Sequence, residues 1–133
     1  MSQWVHATSK VMEHVDKNIM VRAFKRMKVA PDYSVKKLQN RYGEAFVDFA
    51  LRDLTDNNKL MDIGMKLNKN KAEVHGDFYF SKWRDVNSFV NEFSRNYQRC
   101  NIEDTAIANG YTVEQEEIKQ DGSIELYLTA NAF

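Results

Sequence analysis

The pair Asp121-Gly122 lies between two segments in which apolar and polar residues alternate, residues 111–120 and 123–130. A two-residue hairpin turn of type I′ needs positive φ at both central positions, and Asp-Gly is one of the pairs that favour it. The sequence therefore predicts a β-hairpin in this part of the chain. The first strand changes parity between Val113 and Ile118, which predicts a β-bulge between these residues.

The middle of the chain is predicted to form a three-stranded antiparallel meander. Apolar residues alternate over residues 45–53, 61–67 and 72–80, as in strands that bury one face. Polar turns at 56–58 and 68–71 separate the strands. Connections this short favour antiparallel neighbours.

Two amphipathic helices flank this meander in the sequence. Apolar residues recur at helical spacing over residues 15–27 and 86–97. Asp16 and Asp85 are suitable N-caps for the two helices. Pro31 prevents the first helix from continuing.

The remaining segments complete a prediction of fold class. A weak alternation predicts a first strand at residues 4–12, and residues 32–44 are predicted to form a short helix or an irregular loop. The pattern of the second helix weakens at 99–101 and ends at Asn109-Gly110. We expect an α+β fold with a single antiparallel sheet, made of the meander plus the C-terminal hairpin, and two helices packed on one face. The length predicts a single domain, residues 1–133.

Composition narrows the class of protein. Nineteen basic and nineteen acidic residues cancel, so no overall charge draws the chain to nucleic acid or to anionic lipid. No apolar run approaches the roughly 18 residues that span a membrane, and the first residues lack the apolar block of a secretory signal. A single cysteine excludes an intramolecular disulfide. These features predict a cytoplasmic protein without membrane contact.

Four short motifs occur in an order that resembles a known family. They are Met61-Asp62-Ile63-Gly64, VNSFVNEFSRNY at residues 86–97, Asn109-Gly110-Tyr111-Thr112-Val113 and Gln120-Asp121-Gly122-Ser123-Ile124. Over residues 60–130 the chain resembles the hypothetical chloroplast reading frame thirty-five family, a domain of unknown function found in cyanobacteria, algal plastids and cyanophages. The resemblance implies a fold and a photosynthetic host. It implies no reaction, cofactor or catalytic residue.

The sequence contains no recognisable metal or nucleophile motif. His6, His14 and His75 lack the spacing of helical metal ligands. Cys100 follows Arg99, which lowers a thiol pKa when it is close, but no general base is indicated. We therefore predict no catalytic residue, no metal and no cofactor.

The acidic residues of the C-terminal segment are interpreted as a solvated strand edge. Alternation predicts that Glu114 and Glu116 point to one side of the strand and Glu117 to the other. Charges on an edge strand discourage aggregation.

A basic cluster is the candidate ligand site. Its residues lie near the end of the first helix and in the segment after it, and tyrosines are interleaved with the cations. Such a surface suits phosphate groups and stacked bases, although a solvated helix face is the commoner arrangement. No glycine-rich phosphate loop accompanies it. The candidate residues are Lys25, Arg26, Tyr33, Lys36, Lys37, Arg41 and Tyr42.

Tyr79 and Trp83 are the candidate residues for contact with a protein partner. They lie near a strand-to-helix corner, where aromatic residues either support the core or form a binding patch.

Three functions follow as hypotheses. The first is a small non-enzymatic binding or adaptor protein that docks a protein partner, including a second copy of itself, and that manipulates its host if it is encoded by a phage. The second is a protein that binds or sequesters a small ligand such as a nucleotide. The third is a single-stranded nucleic-acid binder, whose affinity would fall steeply with salt.

Overall fold

Two helices and nine strands are formed by the residues that this computed structural model describes, which are 7–40, 43–79 and 81–131. The helices are α1 (Lys17–Arg26) and α2 (Val86–Ala108). The strands are β1 (Ala7–Met12), β2 (Val29–Asp32), β3 (Lys37–Asn40), β4 (Gly43–Phe46), β5 (Phe49–Asp53), β6 (Lys59–Asn68), β7 (Lys71–Asp77), β8 (Tyr111–Ile118) and β9 (Ile124–Ala130). The α+β class is thereby confirmed.

The main sheet has five strands in the order β1-β7-β6-β5-β2. Every neighbouring pair is antiparallel, and β5, β6 and β7 form the predicted meander. Strand β2 contains Pro31 and, among the described strands, pairs with β5 alone. An edge strand tolerates proline because its outer amide positions need no partner in the sheet.

Both helices begin at the predicted caps. The Asp16 carboxylate accepts hydrogen bonds from the amides of Asn18 and Ile19, and the Asp85 carboxylate accepts one from Ser88. Helix α2 runs without a break to Ala108, although its apolar periodicity weakens near residue 100.

The helices pack on one face of the main sheet, as predicted. The ring of Phe24 on α1 lies 5.9 Å from that of Phe49 on β5 and 5.1 Å from that of Phe93 on α2. All three side chains are buried in one apolar core, which also contains Ile63 and Val74 of the meander. Phe24 therefore joins α1, α2 and the sheet at a single point.

The opposite face of the sheet is covered by β3 and β4, which pair with each other and with no other strand in the part of the chain that the structure describes. Leu38, Val47 and Ala50 form a second, smaller buried cluster there. The covering segment approaches the sheet closely, because a Cβ added to Gly64 of β6 would lie 3.1 Å from Cγ1 of Val47 and 3.3 Å from Cδ1 of Leu38.

Two predictions for this region are wrong. Residues 32–44 contribute to strands β2, β3 and β4 where a short helix or an irregular loop was expected. The predicted strand over 45–53 is divided between β4 and β5. The division falls at Val47 and Asp48, whose amides donate to the carbonyls of Lys36 (2.9 Å) and Met65 (2.8 Å). Between β4 and β5, the chain therefore passes from the β3–β4 sheet to the main sheet.

The C-terminal hairpin is present, but it is a separate two-stranded sheet, so the expectation of one sheet containing it is wrong. Only Asn109 and Gly110 connect α2 to β8. This short connection turns the hairpin back along α2 and away from the main sheet. The predicted bulge is found between Val113 and Gln115.

The hairpin turn is longer than the expected two-residue turn. The amide of Lys119 donates to the carbonyl of Ser123 (2.8 Å), and the amide of Gly122 donates to the carbonyl of Lys119 (3.0 Å). Gly122 has φ of 86°, whereas Asp121 does not have positive φ. Three residues therefore separate Lys119 from Ser123, as in a turn followed by a glycine bulge. The Asp121 carboxylate instead accepts hydrogen bonds from the Ser123 amide and hydroxyl.

Candidate functional site

The predicted basic cluster is divided by the main sheet. Lys25 and Arg26 lie in the last turn of α1, on the face that carries the large core. Lys36 directly precedes β3 and Lys37 begins it, and this strand covers the opposite face. Arg41 and Tyr42 fall outside the described residues. The described members therefore do not converge on one patch.

The members near β3 make contacts within the protein. The Lys36 ammonium donates to the carbonyl of Asp48 at 2.9 Å, and Lys37 lies 3.2 Å from the Glu44 carboxylate. The half-exposed Tyr33 ring lies 5.2 Å from the ring of Phe49.

The two candidate partner-binding aromatics differ in burial. Trp83 is buried, its ring packs edge-on against Phe89 at 4.8 Å, and its indole N–H donates to Glu92 at 2.7 Å. Tyr79 is exposed, and its amide donates to the Asp77 carboxylate at 3.2 Å. The structure thus places Trp83 within the core and Tyr79 at the surface.

Arginines and carboxylates connect the hairpin to both helices. Glu116 of β8 accepts from Arg99 of α2 at 2.6 Å and from Arg26 of α1 at 2.9 and 3.0 Å. Arg99 also pairs with Glu103 at 2.7 Å, and Glu103 pairs with Arg22 of α1 at 2.9 Å. Arg26 is therefore already engaged by a carboxylate of its own chain.

Glu116 is the carboxylate that both Arg26 and Arg99 contact, and its pKa reflects these contacts. Burial disfavours its charged form, but hydrogen bonds from Arg26 and Arg99 outweigh burial and hold the pKa of Glu116 below its usual value. Burial raises the pKa of the nearby Cys100 thiol, and attraction to Arg22, Arg26 and Arg99 does not offset this effect. Cys100 is therefore protonated at neutral pH and has little nucleophilic character.

A cleft of about 390 Å³ lies where β5, β6 and β7 meet the loop before α2. Asp53, Asp56, Asp62 and Asp77 line it together with Lys82 and others. In the described parts of the chain, no three histidine, cysteine or carboxylate side chains come close enough to hold a metal ion. The Asp53 carboxylate accepts from the Thr55 hydroxyl and amide, so part of this lining serves a local turn.

The hairpin has one polar and one apolar face. Residues opposite each other in a ladder share a face, and the register pairs Val113 with Leu128, Glu116 with Leu126 and Ile118 with Ile124. We call this side the hairpin face. It comprises Tyr111, Val113, Glu116, Ile118, Ile124, Leu126, Leu128 and Ala130.

The opposite side of the hairpin is polar. The positions of the glutamates on the two sides differ from the prediction that Glu114 and Glu116 point one way and Glu117 the other. The Glu114 carboxylate contacts the Thr129 hydroxyl, and Glu117 accepts from the Tyr127 hydroxyl at 3.1 Å. Glu114 and Glu117 therefore share the polar side, whereas Glu116 is the one glutamate of β8 that lies on the hairpin face. The bulge after Val113 reverses the parity that simple alternation predicts.

Helix α2 covers the hairpin face only in part. Val113, Ile124 and Leu126 are half-buried, while Ile118 is 66% and Leu128 is 43% exposed. No described residue from 111 to 131 is buried, and none belongs to either apolar core. The hairpin face is therefore an apolar surface outside the hydrophobic core.

Helix α2 carries two exposed isoleucines near its ion pairs with the hairpin. Ile102 and Ile107 are exposed, and they follow Arg99 and Glu103 by three and four residues. Residues at these spacings are neighbours on a helix, so both isoleucines flank the ion pairs that connect α2 to the hairpin. Sequence reasoning missed the exposed hairpin face because alternation predicted a buried face.

The fold and this surface define an α+β protein with an antiparallel sheet, a detached hairpin and an exposed apolar face. The family model described as "Protein of unknown function (DUF1257)" matches residues 23–127, and the chain belongs to this family. The match includes most of the hairpin. No curated protein and no solved structure matches the chain. Among the described helices, none is both long and apolar enough to cross a membrane.

Proposed function

We propose that the chain is a non-enzymatic binding protein that docks a protein partner through the hairpin face. The observation that carries this proposal is an alternating apolar face with no buried residue. Alternation of this kind ordinarily reflects burial of one side. A partner that covers Ile118 and Leu128 would gain part of the roughly 1.5–3 kcal/mol that full burial of an exposed apolar side chain contributes, since both side chains are already partly covered.

The stability of the hairpin supports the same proposal. An isolated two-stranded hairpin is at best marginally stable in water. Within the described chain, its strongest side-chain attachments are the contacts of Glu116 with Arg99 and Arg26. A partner on the hairpin face would supply the apolar contacts that these ion pairs do not provide.

The origin and compartment belong to the same proposal. We place the chain in the cytoplasm of a cyanobacterium, or in a plastid or phage-infected cell of that lineage. The resemblance of its ordered motifs to the plastid reading-frame family supports this. In a phage, the partner would be a host protein, and docking would alter the activity of that protein.

The positions of the cations favour docking of a protein over binding of a nucleotide or of single-stranded nucleic acid. Phosphate recognition needs several cations on one surface. The main sheet separates Lys25 and Arg26 from Lys36 and Lys37, and Arg26 is paired with Glu116.

The proposal predicts which positions touch the partner. A photoreactive amino acid placed at Ile118 lies on the hairpin face, whereas one placed at Glu117 lies one residue away on the polar side. In cyanobacterial lysate we expect position 118 to give a cross-linked product. Its yield should exceed the yield from position 117 at least about fivefold, because only position 118 lies in the interface. Mass spectrometry identifies the product.

The substitution Ile118→Asp provides the second arm of this test. As an untagged competitor, the unmodified chain should suppress the product from position 118, and the Ile118→Asp chain should not. Equal yields from positions 117 and 118, or equal competition by both chains, would contradict docking through the hairpin face.

A further inference from the structure

The outer edge of β9 is a surface of the hairpin that is distinct from the hairpin face. Strand β9 pairs with β8 on one side, and among the described residues no strand pairs with its other side. An exposed edge presents unpaired amides and carbonyls that accept another strand. We propose that this edge takes a second copy of this chain, which adds its own β9 antiparallel, and that this pairing leaves the hairpin face free for the partner of the proposed function.

Charge distinguishes β9 from β8 as a pairing edge. Strand β8 carries Glu114, Glu116 and Glu117, whereas β9 carries only Glu125. Two β8 strands would bring six carboxylates to one junction, and charges on edge strands oppose such pairing. The β9 edge lacks this protection.

The sequence of β9 is self-complementary in one antiparallel register. With a two-fold axis at Tyr127, Leu126 lies opposite Leu128 of the partner subunit, and Glu125 lies opposite Thr129 of the partner subunit. Ile124 then faces Ala130 of the partner subunit. Apolar residues thus meet apolar residues, and no like charges are directly opposed.

This pairing has two structural consequences. Directly opposed residues share a face, so the hairpin faces of the two copies become one four-stranded apolar surface. The arrangement is also closed, because each copy uses its single β9 edge and the glutamates of β8 remain at both outer edges. The expected assembly is therefore a dimer and not a filament.

Tyr127 provides a test that leaves the hairpin face unchanged. It lies on the polar side of the hairpin, its cross-strand neighbour within the chain is Gln115, and its hydroxyl donates to Glu117. Tyr127→Lys places two ammonium groups opposite each other across the two-fold axis. Gln115→Lys makes a similar charge change on the same side but at the β8 edge, so it is the matched control.

Sedimentation equilibrium of the full chain over a range of concentrations measures the effect. We expect the unsubstituted chain to form a dimer, Tyr127→Lys to raise the dimer dissociation constant at least about tenfold, and Gln115→Lys to change it less than about threefold. An equimolar mixture of Tyr127→Lys and Tyr127→Glu chains should dimerise more tightly than either chain alone. Circular dichroism verifies that each variant is folded.

Several results would overturn the inference. A chain that stays monomeric at every concentration, or a dimer weakened equally by Tyr127→Lys and Gln115→Lys, would exclude β9 pairing. If the chain is monomeric but position 118 cross-links to a different protein, docking through the hairpin face stands and the second copy is excluded. If the chain dimerises as expected but position 118 gives no product at all, docking through the hairpin face fails and the pairing of β9 stands.

Discussion

Replacing Phe24 with alanine is expected to lower the free energy of unfolding by about 3–5 kcal/mol, the usual range for a buried phenylalanine. The Phe24 side chain is fully buried between Phe49 of the sheet and Phe93 of α2. Its removal would leave a cavity where the sheet and both helices meet. Urea denaturation followed by circular dichroism measures the change.

Phe46→Ala is the matched control for Phe24→Ala. Phe46 is 65% exposed on β4 and belongs to neither apolar core, so the same substitution should change stability by no more than about 0.5 kcal/mol. Similar losses from the two substitutions would mean that Phe24 does not occupy the junction described above.

Replacing Glu116 with glutamine is expected to cost about 2 kcal/mol, in the range for hydrogen bonds to charged groups. The substitution removes the carboxylate that receives Arg99 and Arg26, and the Arg99 side chain is only 14% exposed. Glu114→Gln is the control, because Glu114 lies on the polar side of the hairpin and should affect stability little. Equal effects of the two substitutions would contradict the anchoring role of Glu116.

The cost of Glu116→Gln should depend on pH. The pKa of Glu116 is lower in the folded chain than its ordinary value of 4.5, so the ion pairs contribute fully above pH 4.5. That contribution is lost as the pH falls through the folded pKa. The stability difference between the unsubstituted chain and Glu116→Gln should therefore be constant from pH 6 to 7 and shrink below about pH 4. A difference that persists at low pH would contradict this assignment.

Local patterns predicted the meander, both helix caps and the bulge of the hairpin. These features depend on residues close together in sequence, such as Asp16 with the amides of Asn18 and Ile19. The separation of the hairpin from the main sheet was not predictable in this way. Alternation indicates that a face is apolar, but it does not indicate which element covers that face.

The candidate site was also not predictable from local sequence patterns. The proximity of Lys25, Arg26, Lys36 and Lys37 in sequence suggested one basic patch, but β3 crosses to the opposite face of the sheet from α1. The role of Glu116 depends on a bulge that reverses the parity of β8, and on arginines at least 17 residues away. Only the tertiary structure brings these charges together.

Amide hydrogen exchange tests the central claim most directly, because it compares the hairpin with the core in one experiment. If the hairpin lies outside the hydrophobic core and docks a partner through its face, the amides of β8 and β9 should exchange faster than those of β6 in dilute protein. Their protection should rise when the concentration of protein or of the cross-linked partner is raised, while that of β6 stays constant. The account would be contradicted if the hairpin amides were as protected as those of β6 at every protein concentration and without a partner.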